Sequence, residues 1–386
     1  MTKHATSPSW LDAALEFCVS KTRQNLSTLA SFPERTECGQ WLQIAPEQHG
    51  WWVGGHWVGL LWLAYAASGD PVLAAAARDW ASRLLPQLND QTDHDLGFLF
   101  ELSYILGHRL TGDANLKPPA LQAAKLLSRR FNPRGRFIQA WGALDPTPLR
   151  SGDNDASPDL RGRTIMDTMM NLDLLFWAGQ ETGDPRYAEI AAAHARTTLT
   201  HHIRTDGSTS HVCDFDPDTG AFIKQDTHQG MSATSCWSRG QAWGVYGFAD
   251  CYRATGDSIF LNASRRLMVY LWPRLPGDLV PFWDYDSPLI PNDVRDSSAA
   301  SVLASGLLSL AAIENDPNLA SIWQNRAISI LESLWKSYTS RETGEASLLL
   351  HGTRSKPHHM MDHGLIYGDY YFVEALMRLS KPSSSL

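Results

Sequence analysis

The run Trp57-Val-Gly-Leu-Leu-Trp-Leu-Ala-Tyr-Ala-Ala-Ser-Gly-Asp70-Pro-Val-Leu-Ala-Ala-Ala-Ala-Arg-Asp-Trp80 decides the fold, because it writes a helix end and a helix start side by side. Apolar residues recur at helical spacing on both sides: Trp57, Leu60, Leu61, Leu63 and Ala64 before the break, Leu73, Ala76, Ala77, Trp80 and Leu84 after it. Between them Gly69 supplies the left-handed residue that closes one helix, Asp70 caps the free N–H groups of the next, and Pro71 suits its first turn. The same punctuation returns at Gly112-Asp113, Gly183-Asp184 and Gly256-Asp257. It returns more weakly at Asn315-Asp316, where Asn315 is expected to take the left-handed role. Each is read as a helical hairpin.

Further helical runs lie at Trp10 to Leu29, Ile322 to Tyr338 and Leu365 to Leu379, giving roughly a dozen helices in one array. No Pro/Gly/Ser-rich linker divides it, so residues 1–386 are expected to form one catalytic domain ending in a flexible tail at 381–386. Hairpins of unequal length with Trp-rich loops suit an all-α toroid closed around a funnel better than an open solenoid. Strand signals are few. The best is a rim hairpin, Thr209 to Phe215 and Ala221 to Lys224, around the turn Asp216 to Gly220.

Composition removes several function classes. With 33 Lys+Arg against 41 Asp+Glu the net charge is −8, and no basic block offsets it, so nucleic acid is not the expected partner. No apolar run resembles a signal peptide or a membrane span, which points away from a membrane. Five cysteines without CxxC spacing indicate neither a disulfide framework nor structural zinc, so reduced thiols in the cytoplasm are expected. Oligomeric state is not readable. The 15 tryptophans outnumber 13 Phe and 11 Tyr, and indole faces are what a cavity needs to hold sugar rings.

There is no P-loop, no GxGxxG and no HExxH, so no cofactor is expected. Gly230-Met-Ser-Ala-Thr234 lacks the closing Gly of a nucleophile elbow. Asp214, Asp216 and Asp218 mimic a calcium loop, but Thr219 and Gln225 stand where it needs Gly and Glu. His359 and His363 have ligand spacing for a shared helix face, yet no third ligand is evident, and no metal is expected.

What remains are acids among aromatics. Asp95, beside His94, stands at the mouth end of the helix opening with Phe98. Asp167 lies among apolar residues and begins a helix running to Trp177. Either alone reads first as an N-cap, but one hairpin apart in a toroid they would reach the same mouth. The segment Thr227 to Gly244 concentrates Gln229, Trp237, Arg239 and Trp243, and aromatic faces beside a guanidinium fit an acidic sugar.

These residues resemble the unsaturated glucuronyl hydrolases, family 88 of the glycoside hydrolases. The matching stretches are Trp52 to Tyr65, His94-Asp95-Leu-Gly-Phe98, Asp167-Thr-Met-Met-Asn-Leu172, Thr227 to Trp243, Arg295 to Ala300 and Leu365 to Phe372, in the family's order. The resemblance implies an (α/α)6 toroid with a few short rim strands. It also implies hydrolysis that removes a 4,5-unsaturated uronic acid from the non-reducing end of lyase-generated oligosaccharides. It makes Asp167 and Asp95 the catalytic acids and places Trp52, Trp141, His211, Gln229, Arg239 and Trp243 at the sugar, with His94 and Trp237 beside them. His56 and Val58 depart from the aromatic and the proline usual at those positions.

Such a substrate is a vinyl ether: a proton at C4 creates an oxocarbenium-like centre at C5 that water traps, and the hemiketal opens to release the remaining chain. Asp167 is the expected donor, with Asp95 holding the acid protonated or orienting the ring. A helix start lowers the pKa of Asp167, whereas its apolar neighbours and the second carboxylate raise it. Burial and paired charge are expected to prevail. The cationic stretch Arg354-Ser355-Lys356 is expected either to meet a sulfate or carboxylate of the next sugar or to be a solvated, flexible loop. Rival readings are an unsaturated rhamnogalacturonyl hydrolase on the same toroid, an epimerase working through a histidine pair, and a non-catalytic sugar binder.

Overall fold

In the computed structural model, which describes residues 8–90, 92–144 and 160–380, Asp70, Asp113, Asp184, Asp257 and Asp316 each accept a backbone N–H two residues on. Gly69, Gly112, Gly183 and Gly256 close the preceding helices at φ of +69° to +72°. The fifth turn corrects the expectation, because Asn315 is not left-handed. There the buried carboxylate of Glu314, held by Arg265 and Trp323, accepts the Asp316 N–H at 3.1 Å, so a side chain pins the turn in place of a left-handed residue.

Twelve helices are described: α1 (Leu11–Thr28), α2 (Gly54–Ser68), α3 (Pro71–Ser82), α4 (96–111), α5 (Lys117–Arg129), α6 (Leu172–Thr182), α7 (Pro185–His201), α8 (Ser238–Thr255), α9 (Ser258–Leu271), α10 (Ser297–Ile313), α11 (Pro317–Ser337) and α12 (Ile366–Ser380). α4 is one rod with a π turn at Glu101–Ile105. Even-numbered helices are buried nearly all round: every residue of α8 from Ser238 to Cys251 and of α12 from Ile366 to Met377 is inside. Odd-numbered helices bury one stripe, as α3 does with Leu73, Ala74, Ala77, Trp80 and Ala81. An inner ring of six helices thus sits inside an outer six. α12 packs on α2, and α1 covers both, which closes the (α/α)6 toroid. The tail expected at 381–386 lies outside the described residues.

Short strands decorate the loops: β1 (Pro33–Glu37) with β2 (Gln40–Gln43), β3 (Phe131–Asn132) with β4 (Phe137–Ile138), and a sheet ordered β5 (Arg163–Ile165), β6 (Val212–Phe215), β7 (Phe222–Asp226). The rim hairpin is therefore present, with β5 as a third strand that the sequence did not announce. In it Asp214 pairs with Arg163 at 2.7 Å, and Asp216 accepts the N–H groups of Asp218 and Thr219, so both acids have protein partners. The inner helices begin at one common end: the start of α4 meets that of α6 through Asp95 and Asn171, α8 meets α10 through Arg239 and Asp296, and α2 meets α12 through Trp52 and Tyr367. Six helix N-termini, each partly positive, face one mouth.

Candidate active site

Asp167 follows β5 in a 3-10 turn, Met166–Asn171, and not in an α-helix as the sequence had been read; α6 starts only at Leu172. Strand pairing fixes what it faces. The Met166 N–H donates to the His211 carbonyl at 2.9 Å, which brings the His211 side chain opposite Asp167. His211 Nδ1 accepts the N–H groups of His228 and Gln229, both at 3.2 Å, so the ring proton sits on Nε2, 3.4 Å from Asp167 Oδ2. That contact is close but not aligned as a hydrogen bond, and neither atom has another protein partner.

Asp95 precedes the first turn of α4, yet its carboxylate caps nothing. Its Oδ1 accepts from Asn171 Nδ2 at 3.0 Å and stands 3.4 Å from His94 Nε2. Asp167 likewise makes no cap bond, so the N-cap reading of both acids falls. The two carboxylates share one mouth: Asp167 acts electrostatically on Asp95, and His94 acts on both.

Their protonation reverses the expectation. Burial, with the charges of Asp93 and Asp167, pushes Asp95 up to about 7 against His94 and Asn171. Burial also pushes Asp167 up, but His211, Arg239 and His94 outweigh it and hold Asp167 below the usual carboxylate range. Apolar neighbours were legible in the sequence, whereas these three side chains come from distant segments. For His94, burial disfavours the charge, while Asp95 and Asp93 together outweigh that and raise its pKa. Asp93, His94 and Asp95 lie within 4.8 Å of one another, the one cluster of metal-ligand spacing among the described residues. The raised proton affinity of His94 competes with a metal for its ring nitrogens, and Arg130 adds positive charge nearby, so the cluster fits a metal site poorly.

Around the acids the aromatic wall is largely as expected. Trp52 packs against Tyr367 at 5.3 Å and Phe98 at 6.0 Å, Trp243 lies buried behind Phe98 at 5.4 Å, and Trp237 covers His211 at 4.6 Å. Trp141 meets His228 at 5.2 Å. His56 sits in a box of Trp52, Phe98, Tyr367, Tyr370 and Tyr371, where burial lowers its pKa to about 3, so this neutral ring fills an aromatic's place. Val58 is fully buried within α2.

Three expectations are corrected. Arg239 does not hold its fork open for a substrate carboxylate. Its Nη1 is committed to Asp296 and the Thr353 carbonyl at 2.7 Å, and its Nη2 donates to the Arg354 carbonyl at 2.7 Å, because the guanidinium is buried over Trp237 and Tyr367. The stretch 354–356 is neither solvated nor openly cationic: Arg354 pairs with Glu34, Lys356 with Asp293, and buried Ser355 bonds His358 at 2.7 Å. Gln229 Nε2 also donates to the Arg354 carbonyl at 2.9 Å, tying this loop to the mouth. His359 and His363 share no helix: His359 is left-handed at the end of a 3-10 turn, and His363 bonds the Thr36 carbonyl.

Sequence reasoning missed Asn171, Asp296 and Tyr367 as site residues, although all three lie in quoted motifs. The signal available was a polar residue inside an otherwise apolar run. Buried polar atoms without an aligned hydrogen bond gather at this mouth: Asp167 Oδ2, His211 Nε2, both His94 nitrogens, Trp237 Nε1, Trp243 Nε1 and the Tyr367 hydroxyl. An aromatic funnel with two acids of separated pKa and unmatched donors is equipped to protonate and hydrate a polar, ring-shaped ligand.

Comparison with known proteins agrees. The family described as Glycosyl Hydrolase Family 88 matches residues 27–265. The chain is similar to the unsaturated glucuronyl hydrolase of Bacillus sp. (strain GL1), 37% identical over 344 residues and 86% of each protein. It is also similar to the unsaturated chondroitin disaccharide hydrolase of Streptococcus pyogenes serotype M1, 35% identical over 376 residues, 95% of this chain and 90% of that protein. The crystal structure of an unsaturated glucuronyl hydrolase specific for heparin superposes with a TM-score of 0.86 at 31% identity, covering 96% of this chain and 97% of the other.

Proposed function

From the premise that the chain belongs to glycosyl hydrolase family 88, we propose how its funnel removes a 4,5-unsaturated uronic acid from the non-reducing end of an oligosaccharide. The chain is a glycosidase of the unsaturated glucuronyl hydrolase kind. Asp167 delivers a proton to C4. In the free protein it is the more acidic of the pair, but an anionic uronide entering beside it adds a like charge and displaces water, and both raise its pKa. Substrate binding is thereby coupled to proton uptake.

With C4 protonated, positive charge develops at C5 and on the ring oxygen. Water attacks C5 and gives its proton to Asp167, which restores the acid. The C5–O5 bond of the hemiketal then breaks to a ketone, and the C1 hemiacetal so formed expels the rest of the chain as an alcohol. Asp95 holds the ring and accepts hydrogen bonds from its hydroxyl groups. His211 Nε2–H faces Asp167 and steadies its charged form. Six helix N-termini favour the substrate carboxylate electrostatically, a task the sequence had given to Arg239. Trp52 and Trp141 offer ring faces at the entrance.

The observation that carries this reading is the gathering around the two acids of buried polar atoms with no aligned hydrogen bond. Loss of ultraviolet absorbance on a panel of lyase-derived unsaturated disaccharides tests it. Chondroitin and hyaluronan products should lose their vinyl-ether band, whereas turnover confined to pectin products would support the rhamnogalacturonyl alternative. No uncommitted cation was found at positions 354 and 356, so unsulfated disaccharides should be preferred to sulfated ones.

Closure of the helical ring supports a single catalytic domain. Cytoplasmic residence is supported by five unpaired cysteines among the described residues, and no described helix is long and apolar enough to cross a membrane.

A further inference from the structure

We propose that Asn171 is a positioning residue that caps helix α4 in place of Asp95 and so frees the Asp95 carboxylate for the reaction. The proposal rests on the reading of the site given above. Asp95 is the N-cap residue of α4, and an N-cap aspartate ordinarily accepts the N–H of the second or third helical residue, here Gly97 or Phe98. It accepts neither. The Phe98 N–H donates instead to Asn171 Oδ1 at 3.1 Å, from a residue 73 positions away in sequence.

That bond settles the orientation of the amide. With Oδ1 committed to Phe98, Nδ2 must face Asp95, and it donates to Oδ1 of that carboxylate at 3.0 Å. One fully buried carboxamide therefore does two things: it satisfies the helix end and holds the carboxylate that would otherwise have satisfied it. The joint is tight. A Cβ on Gly97 would stand 2.5 Å from Asn171 Cα and 2.7 Å from its Oδ1, so glycine is required for the two segments to meet. Asn171 lies four residues after Asp167 in the same 3-10 segment, so the joint also sets the spacing of the two acids.

The charged groups around Asp95 are His94, Asp93 and Asp167, with Arg130 beyond them. Two near-isosteric variants should move Asp95 in opposite directions. In Asn171→Leu Asp95 loses the amide donor, which raises its pKa, but the vacated Phe98 N–H and that of Gly97 are then both open to it, and capping its own helix with two backbone donors in place of one amide lowers its pKa overall. In Asn171→Asp the Phe98 bond is kept, but a carboxylate replaces the amide donor and raises it.

Both variants should lower kcat by roughly tenfold to a hundredfold, the effect of losing one hydrogen bond to a charged group, with KM changed by less than about twofold. The pH profile of kcat/KM should shift by about one unit, downward for Leu and upward for Asp. The same two shifts should appear in the 13Cγ resonance that Asp95→Asn deletes, a readout that needs no turnover. It separates failure of this proposal from failure of the proposed function, which inactive wild-type protein would indicate. Unmoved titration, or shifts of one sign in both variants, would overturn the assignment. If one variant does not fold, the shift in the other decides.

Discussion

Glu374, in the far half of the inner helices, has every lone pair engaged: Tyr246 donates to it at 2.9 Å, Tyr370 at 3.2 Å and Arg378 at 3.4 Å, and Ser305 also bonds it. Asp250 nearby takes Arg253 at 2.8 Å and Ser309 at 3.0 Å. Glu374, Tyr246, Tyr370, Arg378, Asp250 and Arg253 line a cavity of about 320 Å³ together with Glu101, Asp173, Arg109 and Trp177. At the mouth, Asp167 Oδ2 has no aligned partner at all. Yet burial pushes Asp250 up to about 7, the same value Asp95 reaches. A displaced pKa therefore does not tell the two ends apart. Satisfaction separates them better: in the cross-linked far network one buried nitrogen, Arg378 Nε, lacks a hydrogen-bond partner, while the mouth keeps seven such atoms open for a ligand.

The largest effect that could break this contrast is at Asp167. Asp167→Asn should reduce turnover of unsaturated disaccharides about 10³-fold. Its melting temperature should move by no more than about 3 °C, since little of the fold depends on that oxygen. Near-normal absorbance loss in this variant would remove Asp167 as donor. The complementary change at the other end is Glu374→Leu, which strands Arg378 and should cost on the order of 3 kcal/mol in denaturant unfolding. Its folded fraction should keep kcat within about twofold. A selective loss of kcat there would show that the far network serves the chemistry.

A subtler test uses pH. Asp95 rises from 3.8 to about 7 on folding, so between those values the folded protein retains a proton that the unfolded chain has released, and stability falls as pH rises. Asp95→Asn abolishes that slope. The melting temperature of the variant minus that of wild type should grow from about pH 4 to pH 7 and then level off. A flat difference would mean that Asp95 is charged throughout.

The smallest effect is expected at His56, whose Nε2 is buried without a partner among five aromatic rings. His56→Phe should stabilise by about 1 kcal/mol and leave KM nearly unchanged, as read by thermal unfolding and initial rates.

How much of this was written in the sequence depends on distance along the chain. Helix punctuation at Asp70, Asp113, Asp184 and Asp257 is local, a matter of a few dihedrals and one side-chain bond, and it was legible as such. Asn315 misled because the partner that replaces a left-handed residue there, Glu314, is fixed by Arg265 from another hairpin. Asp95 and Asp167 stood out as carboxylates in apolar surroundings. Their order of acidity did not, since it is set by His211, Arg239 and His94 arriving from separate elements. Arg239 was read as a free fork because Asp296, which holds it, lies 57 residues away. Arg354 and Lys356 were read as open cations for the same reason: Glu34 and Asp293 are contributed by distant loops.

The seam between α12 and α2 has a consequence for biosynthesis. Tyr367, at the start of the last helix, forms the floor against Trp52 and helps bury Arg239. A nascent chain emerging from the ribosome can stack its hairpins in turn and already carries both acids by residue 167. It lacks Tyr367, the ring against which Trp52 packs, until residues 366–380 appear. Enzymatic competence is thus withheld until α12 has been made, and a product cut short before α12 should be inert although both acids are present.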